Sequence, residues 1–212
     1  MDAHSEDGSN DDRPWRPAAS GACFVYVFAR PGEDLLKLGM SRDPLGRLQQ
    51  LHPRWYEFFD LDAGWLVATD RVRDARRLEL RLAHALADHS APSPLTVRAA
   101  AGGATEWYRG AGGWLGREAD SLVSLGYTVH RPLRPWLLGR FADHAGRLFH
   151  WSEQLLETIE SSPPVSGHPP GALEWTLRHG LDALPAMGLP LSAFVSPKVA
   201  TWHAAFCRRL GA

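Results

Sequence analysis

Two short apolar segments joined by a Pro-Gly turn constrain the fold of this chain more than any other feature. The first, CFVYVFA at residues 23–29, is rich in β-branched and aromatic side chains. The second, LLKLGM at residues 35–40, follows after a connection that contains Pro31-Gly32. Short apolar runs bounded by turn residues are typical of paired strands. We therefore expect a β-hairpin at the start of the folded part of the chain.

A capped helix follows the hairpin. Ser41 or Asp43 can accept a hydrogen bond from the first turn of a helix that has Pro44 at its first position and extends to about His52. Further on, AGWLVATD at residues 63–70 predicts a third strand, and Asp70 is the expected N-cap of a long helix at residues 71–89.

The remaining segments complete one unit. We expect a loop at residues 90–104, a short extended piece at 105–110 and a helix at 113–127. Together these segments predict a mixed α/β (α+β) domain at residues 22–130, with a small sheet of about three strands flanked by helices.

The C-terminal region, residues 135–212, predicts helices at 135–160, 172–184 and 196–210, with a Pro- and Gly-rich break after the first. Two arrangements stay open: a helical appendage packed on the α/β unit, or a small second domain. Either one offers helix faces for a protein partner or for self-association.

Composition narrows the class of protein. Residues 1–21 are acidic and polar, unlike a secretory signal, and predict a disordered tail. No apolar run approaches the ~18 residues of a membrane span, and Cys23 and Cys207 make no disulfide framework. We therefore expect a cytoplasmic protein without a membrane partner. The net charge of −1 does not by itself indicate nucleic-acid binding, although only two of the 23 basic residues, Lys37 and Lys198, are lysines.

One carboxylate interrupts the apolar stripe of the long helix. At ~100° per residue, Glu79 lies near the middle of a face formed by Val72, Ala75, Leu82, Ala83 and Leu86. Burying an unpaired carboxylate is costly, so such a group is usually paired or bound to a metal. A glutamate that reaches the solvent or pairs with an arginine remains the alternative.

The hairpin contributes a phenol and an amine. Alternation along the first strand places Tyr26 on the face opposite to Val25 and Val27. Lys37 on the second strand can lie beside it, and Arg47 follows on the first helix. Taken singly, Tyr26 could be a core residue and Lys37 a solvated one.

In combination, these elements resemble a known family. Phe24-Val25-Tyr26, then Lys37-Leu38-Gly39, then Arg47 eight positions after Gly39, then Glu79 on a later helix, resemble the GIY-YIG endonuclease superfamily. The lysine in the second motif and the segment Glu106-Trp107-Tyr108 are similar to its compact phage-associated branch. The resemblance covers about residues 23–127.

The resemblance implies hydrolysis of phosphodiester bonds in DNA with Mg²⁺, for which Mn²⁺ can substitute. Glu79 would hold the metal ion, and Arg47 would clamp the phosphate. Tyr26 with Lys37 would activate water, with the charge of Lys37 favouring the phenolate. Gly39 would let the backbone approach the phosphate closely.

Further residues have lesser roles in this interpretation. His52 stands about where the family often has a basic residue or histidine after the arginine. Arg42, Arg76 and Trp55 are candidate substrate contacts, although tryptophans such as Trp55 more often fill cores. Glu106 would pack at the sheet edge or assist at the site.

Alternatives to hydrolysis remain. The same fold could serve as a catalytically weak nucleic-acid-binding or partner-binding module, or the motif match could be accidental. His203 and Cys207, four residues apart on a predicted helix, could share a metal ion, a hypothesis that the sequence alone disfavours.

Overall fold

The fold is known from a computed structural model that describes residues 22–97, 101–161 and 170–211. The expected disordered tail at residues 1–21 lies outside the described residues. Among the residues that are described, no helix has both the length and the apolar composition needed to cross a bilayer.

An antiparallel sheet forms the centre of the molecule. The predicted hairpin is confirmed as β1 (Cys23–Ala29) and β2 (Leu35–Ser41), and the predicted third strand is β3 (Asp60–Thr69). Three short strands extend the sheet: β4 (Ser90–Ala91), β5 (Trp107–Arg109) and β6 (Val129–His130). The strand order is β4-β5-β2-β1-β3-β6, and all neighbours run antiparallel.

The mixed α/β fold class is thus confirmed, whereas the expected number of about three strands is wrong, since the sheet has six strands within the described residues. The three long strands carry enough alternating positions to be recognised. The short strand β5 lies within the extended piece predicted at 105–110, whereas β4 and β6 have two residues each, too few to show a period.

Eight helices surround the sheet within the described ranges. They are α1 (Pro44–Leu51), α2 (Trp55–Phe58), α3 (Val72–Ala85), α4 (Gly112–Ser124), α5 (Leu133–Asp143), α6 (Ala145–Ser161), α7 (Ala172–Ala186) and α8 (Pro197–Gly211). The single helix expected at 135–160 is two helices, which part at His144. Their apolar faces serve different partners, since α5 packs on β3 and α6 packs on α7.

The two predicted helix caps have different outcomes. Asp43 caps α1, because its Oδ1 accepts a hydrogen bond from the Gly46 N–H at 3.0 Å, with Pro44 at the first position. Asp70 does not cap α3, whose N-cap residue is Arg71. The turn before α3 is instead held by Thr69, whose hydroxyl donates to the carbonyl of Cys23 at 2.7 Å.

Alternation along β1 divides the core into two layers. Phe24, Tyr26 and Phe28 face a layer built from α1, α2, α5 and α7. Val25 and Val27 face a layer built mainly from α3 and α4. This confirms the predicted orientation of Tyr26 and places α1 and α3 on opposite faces of the sheet.

The sheet and α5 share one core. Leu133, Trp136 and Leu137 pack with Phe24 of β1, and the rings of Phe24 and Trp136 meet edge to face at 5.3 Å. A smaller cluster joins α6, α7 and α8 around Leu156, Leu177, Leu181, Val195 and Val199. The first helix of the C-terminal region is therefore an integral layer of the α/β unit.

Because of this shared core, Leu137→Ala should destabilise the sheet as well as the helices. Leu137 is fully buried, and truncating such a side chain costs about 2–5 kcal/mol of unfolding free energy. We expect one cooperative urea transition with a lowered midpoint, followed by tryptophan fluorescence and circular dichroism. Two separate transitions in the wild-type protein would instead indicate a second, independent domain.

Candidate active site

The candidate site lies at the edge of β2, next to the first residue of β5, where the pairing between these two strands ends. Pairing between the two strands runs from Leu35 to Lys37, and the last backbone hydrogen bond joins the Leu38 N–H to the Glu106 carbonyl at 3.1 Å. Glu106 has a positive φ of 62°, a conformation that non-glycine residues seldom adopt, and it directs the chain away from β2. Beyond Leu38, β2 pairs only with β1 among the described strands.

Tyr26 reaches across β2 at this point. Its partner on β2 is Gly39, and a Cβ atom at Gly39 would lie 2.3 Å from the Tyr26 Oη atom. The phenol ring also stacks on Phe28, with ring centroids 4.1 Å apart. The glycine is thus required by the close approach of a phenol. The expectation that Gly39 admits a phosphate to the backbone is wrong, since the Tyr26 ring fills that space.

Gly39→Ala should therefore destabilise the protein and displace Tyr26. The ring is 1% exposed and cannot move without disturbing its neighbours, so we expect a loss of about 1–3 kcal/mol, as for other overpacked cores. Gly139→Ala is the matched control, because an added Cβ there meets nothing within 4 Å and a helix interior favours alanine. Urea unfolding should rank Gly139→Ala at or above wild type and Gly39→Ala below it. Equal midpoints for all three proteins would contradict the crowding at Gly39.

Arg47 comes to Tyr26 from α1. Its Nε donates to the Tyr26 Oη at 3.2 Å, while Nη1 and Nη2 donate to the carbonyls of Ala101 and Gly102. The guanidinium is half-buried and lies at the same edge as the phenol. The structure thus brings Arg47 of the first helix into contact with the phenol of Tyr26.

Lys37 is fully buried on β2, opposite Phe28 of β1 and two residues before Gly39. Its Nζ donates to the Leu38 carbonyl at 2.8 Å and to Glu106 Oε2 at 3.0 Å. Burial lowers the pKa of Lys37, and the carboxylate of Glu106 opposes this shift without cancelling it. The alternative that Lys37 lies on a solvated strand face is wrong. Glu106, rather than bulk water, balances its charge.

Burial has the opposite effect on the phenol. It raises the pKa of Tyr26, and the hydrogen bond from Arg47 offsets only part of the shift. The expectation that Lys37 makes Tyr26 a phenolate is therefore not met. The cation that contacts the phenol oxygen is Arg47, and Tyr26 stays protonated near neutral pH.

Glu79 approaches from the other layer, on α3. The predicted position within the apolar stripe is confirmed, since Glu79 is 4% exposed and its neighbours Ala75, Leu78 and Leu82 are buried. Its Oε2 accepts a hydrogen bond from Arg76 at 2.8 Å, and its Oε1 has no hydrogen-bond partner within the described residues. Burial raises the pKa of Glu79, and the nearby charge of Glu106 adds to the increase.

These groups form one electrostatic cluster. The pKa of Lys37 responds, after burial, to the charges of Glu106, Arg47 and Glu79, although these residues come from different elements and from both faces of the sheet. We call Tyr26, Lys37, Arg47, Glu79 and Glu106 the edge cluster. It unites a phenol, an amine, a guanidinium and two carboxylates.

The edge cluster fits the divalent ion that the resemblance implies. Mg²⁺ prefers oxygen ligands and retains several waters, so one or two carboxylates suffice to hold it. Within the described ranges, Glu79 Oε1 has no hydrogen-bond partner, and the charge of Glu106 contributes to the raised pKa of Glu79.

The other predicted site residues lie outside the edge cluster. His52 stacks on Phe58 at 4.2 Å, and its Nδ1 accepts from the Arg54 N–H, contacts that belong to the turn between α1 and α2. The role of Trp55 as a stacking platform for bases is wrong, because it is 2% exposed and packs in the core near Phe141. Arg42 is exposed at the start of α1.

The alternative that Glu79 pairs with an arginine is confirmed, and the arginine is Arg76. Its side chain is 56% exposed, and it pairs with the buried Glu79. Arg76 is thus the counter-ion of the candidate metal ligand, and its predicted contact with substrate would compete with that pair. A glutamate three residues after an arginine on a helix is the signal that indicates such pairing.

The sequence also missed the carbonyl oxygens that hold Arg47. Ala101 and Gly102 belong to the segment at residues 90–104 that was expected to be a loop. Trp107 fixes this segment by donating its Nε1 hydrogen to the Gly103 carbonyl at 2.6 Å. The sequence left open whether Glu106 packs at the sheet edge or assists at the site. In the structure its carbonyl makes the last backbone contact with β2, and its carboxylate binds Lys37.

No family model, curated protein or solved structure matches this chain.

Proposed function

We propose that this protein is a metal-dependent endonuclease of the GIY-YIG type that hydrolyses phosphodiester bonds in DNA. The observation that supports it is the edge cluster, in which a guanidinium contacts a phenol next to a buried amine and two carboxylates. Structural cores seldom collect so many ionisable groups at one point, whereas hydrolytic sites require them.

Each side chain has a chemical role in this proposal. The guanidinium of Arg47 binds the phosphate and stabilises the charge that develops on its oxygens. The phenol of Tyr26 receives its hydrogen bond from Arg47 through Oη, which leaves the Oη hydrogen to orient the attacking water. Exposed Arg42, at the start of the same helix, adds a contact to the DNA backbone.

Proton transfer falls to Lys37 and Glu106. Burial lowers the pKa of Lys37 and so favours the neutral amine, the form that accepts a proton, and Glu106 stabilises the ammonium that results. Glu79 and Glu106 would hold Mg²⁺, for which Mn²⁺ can substitute, and the ion when bound supplies Lewis-acid stabilisation of the phosphate.

The direct test is nicking of supercoiled plasmid by purified protein with Mg²⁺, with Mn²⁺ and with EDTA. The proposal predicts open-circular product with either metal ion and none with EDTA. A parallel incubation with RNA separates DNA from RNA as the substrate. Absence of product in every lane, from protein shown to be folded, would argue against hydrolysis.

A nucleic-acid-binding module without hydrolysis is the second candidate. The observation that favours it is the full burial of Lys37, whose ammonium already donates to a carbonyl and a carboxylate. This function predicts DNA binding that weakens steeply with salt and yields no metal-dependent product. Self-association or partner binding through α6, α7 and α8 stays a prediction, which the molar mass in solution would test.

A further inference from the structure

A second group of ionisable side chains lies between α7 and α8, outside the edge cluster. Asp182 is on α7, and His203 and Cys207 are on α8. The distance from His203 Nε2 to Asp182 Oδ1 is 2.7 Å, and that from Cys207 Sγ to His203 Nε2 is 3.7 Å. All three donor atoms lie within 4.8 Å of one another.

We propose that Asp182, His203 and Cys207 form a binding site for a divalent transition metal ion, with Zn²⁺ the best match to this set of donors. Imidazole, thiolate and carboxylate together suit Zn²⁺, whereas Mg²⁺ avoids sulfur. The site is separate from the edge cluster and from the Mg²⁺ proposed there.

The hydrogen bonds distinguish a metal site from a nucleophilic triad. In a relay of cysteine, histidine and aspartate, the carboxylate holds Nδ1 so that Nε2 is free to face the thiol. Here the same atom, His203 Nε2, faces both the Asp182 carboxylate and the Cys207 sulfur. The three donors therefore converge on one point, as ligands of one ion do.

Helix geometry places the ligands. His203 and Cys207 are four residues apart on α8, so they share one face, and Asp182 meets that face from α7. With metal–ligand bonds of about 2.0–2.3 Å, tetrahedral donors lie about 3.3–3.6 Å apart. The contact between His203 and Asp182 must open slightly for an ion to enter, and that between Cys207 and His203 needs almost no change.

Arg178 holds the carboxylate in position. Its Nε donates to Asp182 Oδ2 at 3.2 Å, which leaves Oδ1 directed at the imidazole. A ligating carboxylate held in this way by a second hydrogen bond is typical of metal sites.

Cobalt substitution tests the site directly. One equivalent of Co²⁺ added to the reduced full-length protein should give the visible bands of a tetrahedral centre and a thiolate-to-cobalt charge-transfer band. Zn²⁺ should then remove both. Zn²⁺ should also raise the melting temperature, because a ligand of the native state stabilises it.

Variants identify the ligands. Cys207→Ser should abolish the charge-transfer band. His203→Gln should weaken Zn²⁺ binding by at least about 10-fold, which is the smallest loss of metal affinity usually seen when even a residue that supports a ligand is removed. Cys23→Ala is the matched control, since Cys23 is buried on β1, and Glu79→Gln shows independence from the edge cluster. Both controls should keep the band.

Three outcomes would overturn the proposal: no charge-transfer band in the wild-type protein, a band that persists in Cys207→Ser, or a band that disappears in Cys23→Ala. Circular dichroism of each metal-free variant verifies its fold. If Cys207→Ser does not fold, the affinity of His203→Gln decides.

Discussion

Glu79→Gln is expected to reduce metal-dependent nicking of supercoiled DNA by at least about 100-fold, the scale for losing one electrostatic group at a reacting centre. The amide preserves the shape of the side chain but removes the charge that would bind the cation. Initial rates of nicking over a range of Mg²⁺ concentrations measure the effect. If raising the Mg²⁺ concentration restores the rate, Glu79 contributes to metal affinity alone.

The same substitution should leave stability unchanged or improved at neutral pH. Burial raises the pKa of Glu79, so folding favours the protonated carboxyl. This contribution to stability is fully present below the unfolded pKa of about 4.3 and is lost as pH rises through the higher folded pKa. A glutamine side chain does not ionise. As the pH rises from the unfolded pKa to the folded pKa of Glu79, the melting temperature of Glu79→Gln should therefore fall less than that of the wild-type protein.

Glu118→Gln is the matched control for this substitution. Glu118 is also a poorly exposed glutamate that pairs with an arginine, Arg81, but it lies on α4 away from the edge cluster. We expect nicking by Glu118→Gln at the wild-type rate. A comparable loss in both variants would point to general damage to the protein and would remove the support for Glu79 as a metal ligand.

Local patterns predicted the parts of the site that depend on neighbouring residues. The burial of Glu79 follows from the period of its own helix, and the cap at Asp43 follows from its distance to Pro44 and Gly46. The orientation of Tyr26 follows from alternation along β1. In each case the energetic preference lies within one turn or one strand.

Long-range contacts decided the parts that were missed. The burial of Lys37 depends on Glu106, 69 residues away, and on the short strand β5, which begins directly after that residue. Arg47 is held by carbonyl groups more than 50 residues away, in a segment without periodicity. The indole ring of Trp55 is a suitable surface for stacking on a base. It is buried in the core instead, near Phe141 of α5, a helix that comes much later in the sequence.

Arg47→Lys should be nearly as harmful to nicking as Arg47→Ala, with rate losses of about 100-fold or more. A lysine keeps the positive charge but lacks the planar fork, so it cannot contact the Tyr26 phenol and the carbonyls of Ala101 and Gly102 together. The charge still attracts DNA. We therefore expect Arg47→Lys to lower kcat with little change in KM, and Arg47→Ala to impair both.

Arg42→Lys is the matched control, because Arg42 is exposed at the start of the same helix and its proposed contact with the DNA backbone requires only a charge. Its nicking rate should stay close to wild type, and its DNA affinity should keep the same dependence on salt. If Arg47→Lys also nicks at the wild-type rate, a point charge suffices at this position. The contact between guanidinium and phenol would then be structural, and the role of Tyr26 in orienting water would lose its geometric basis.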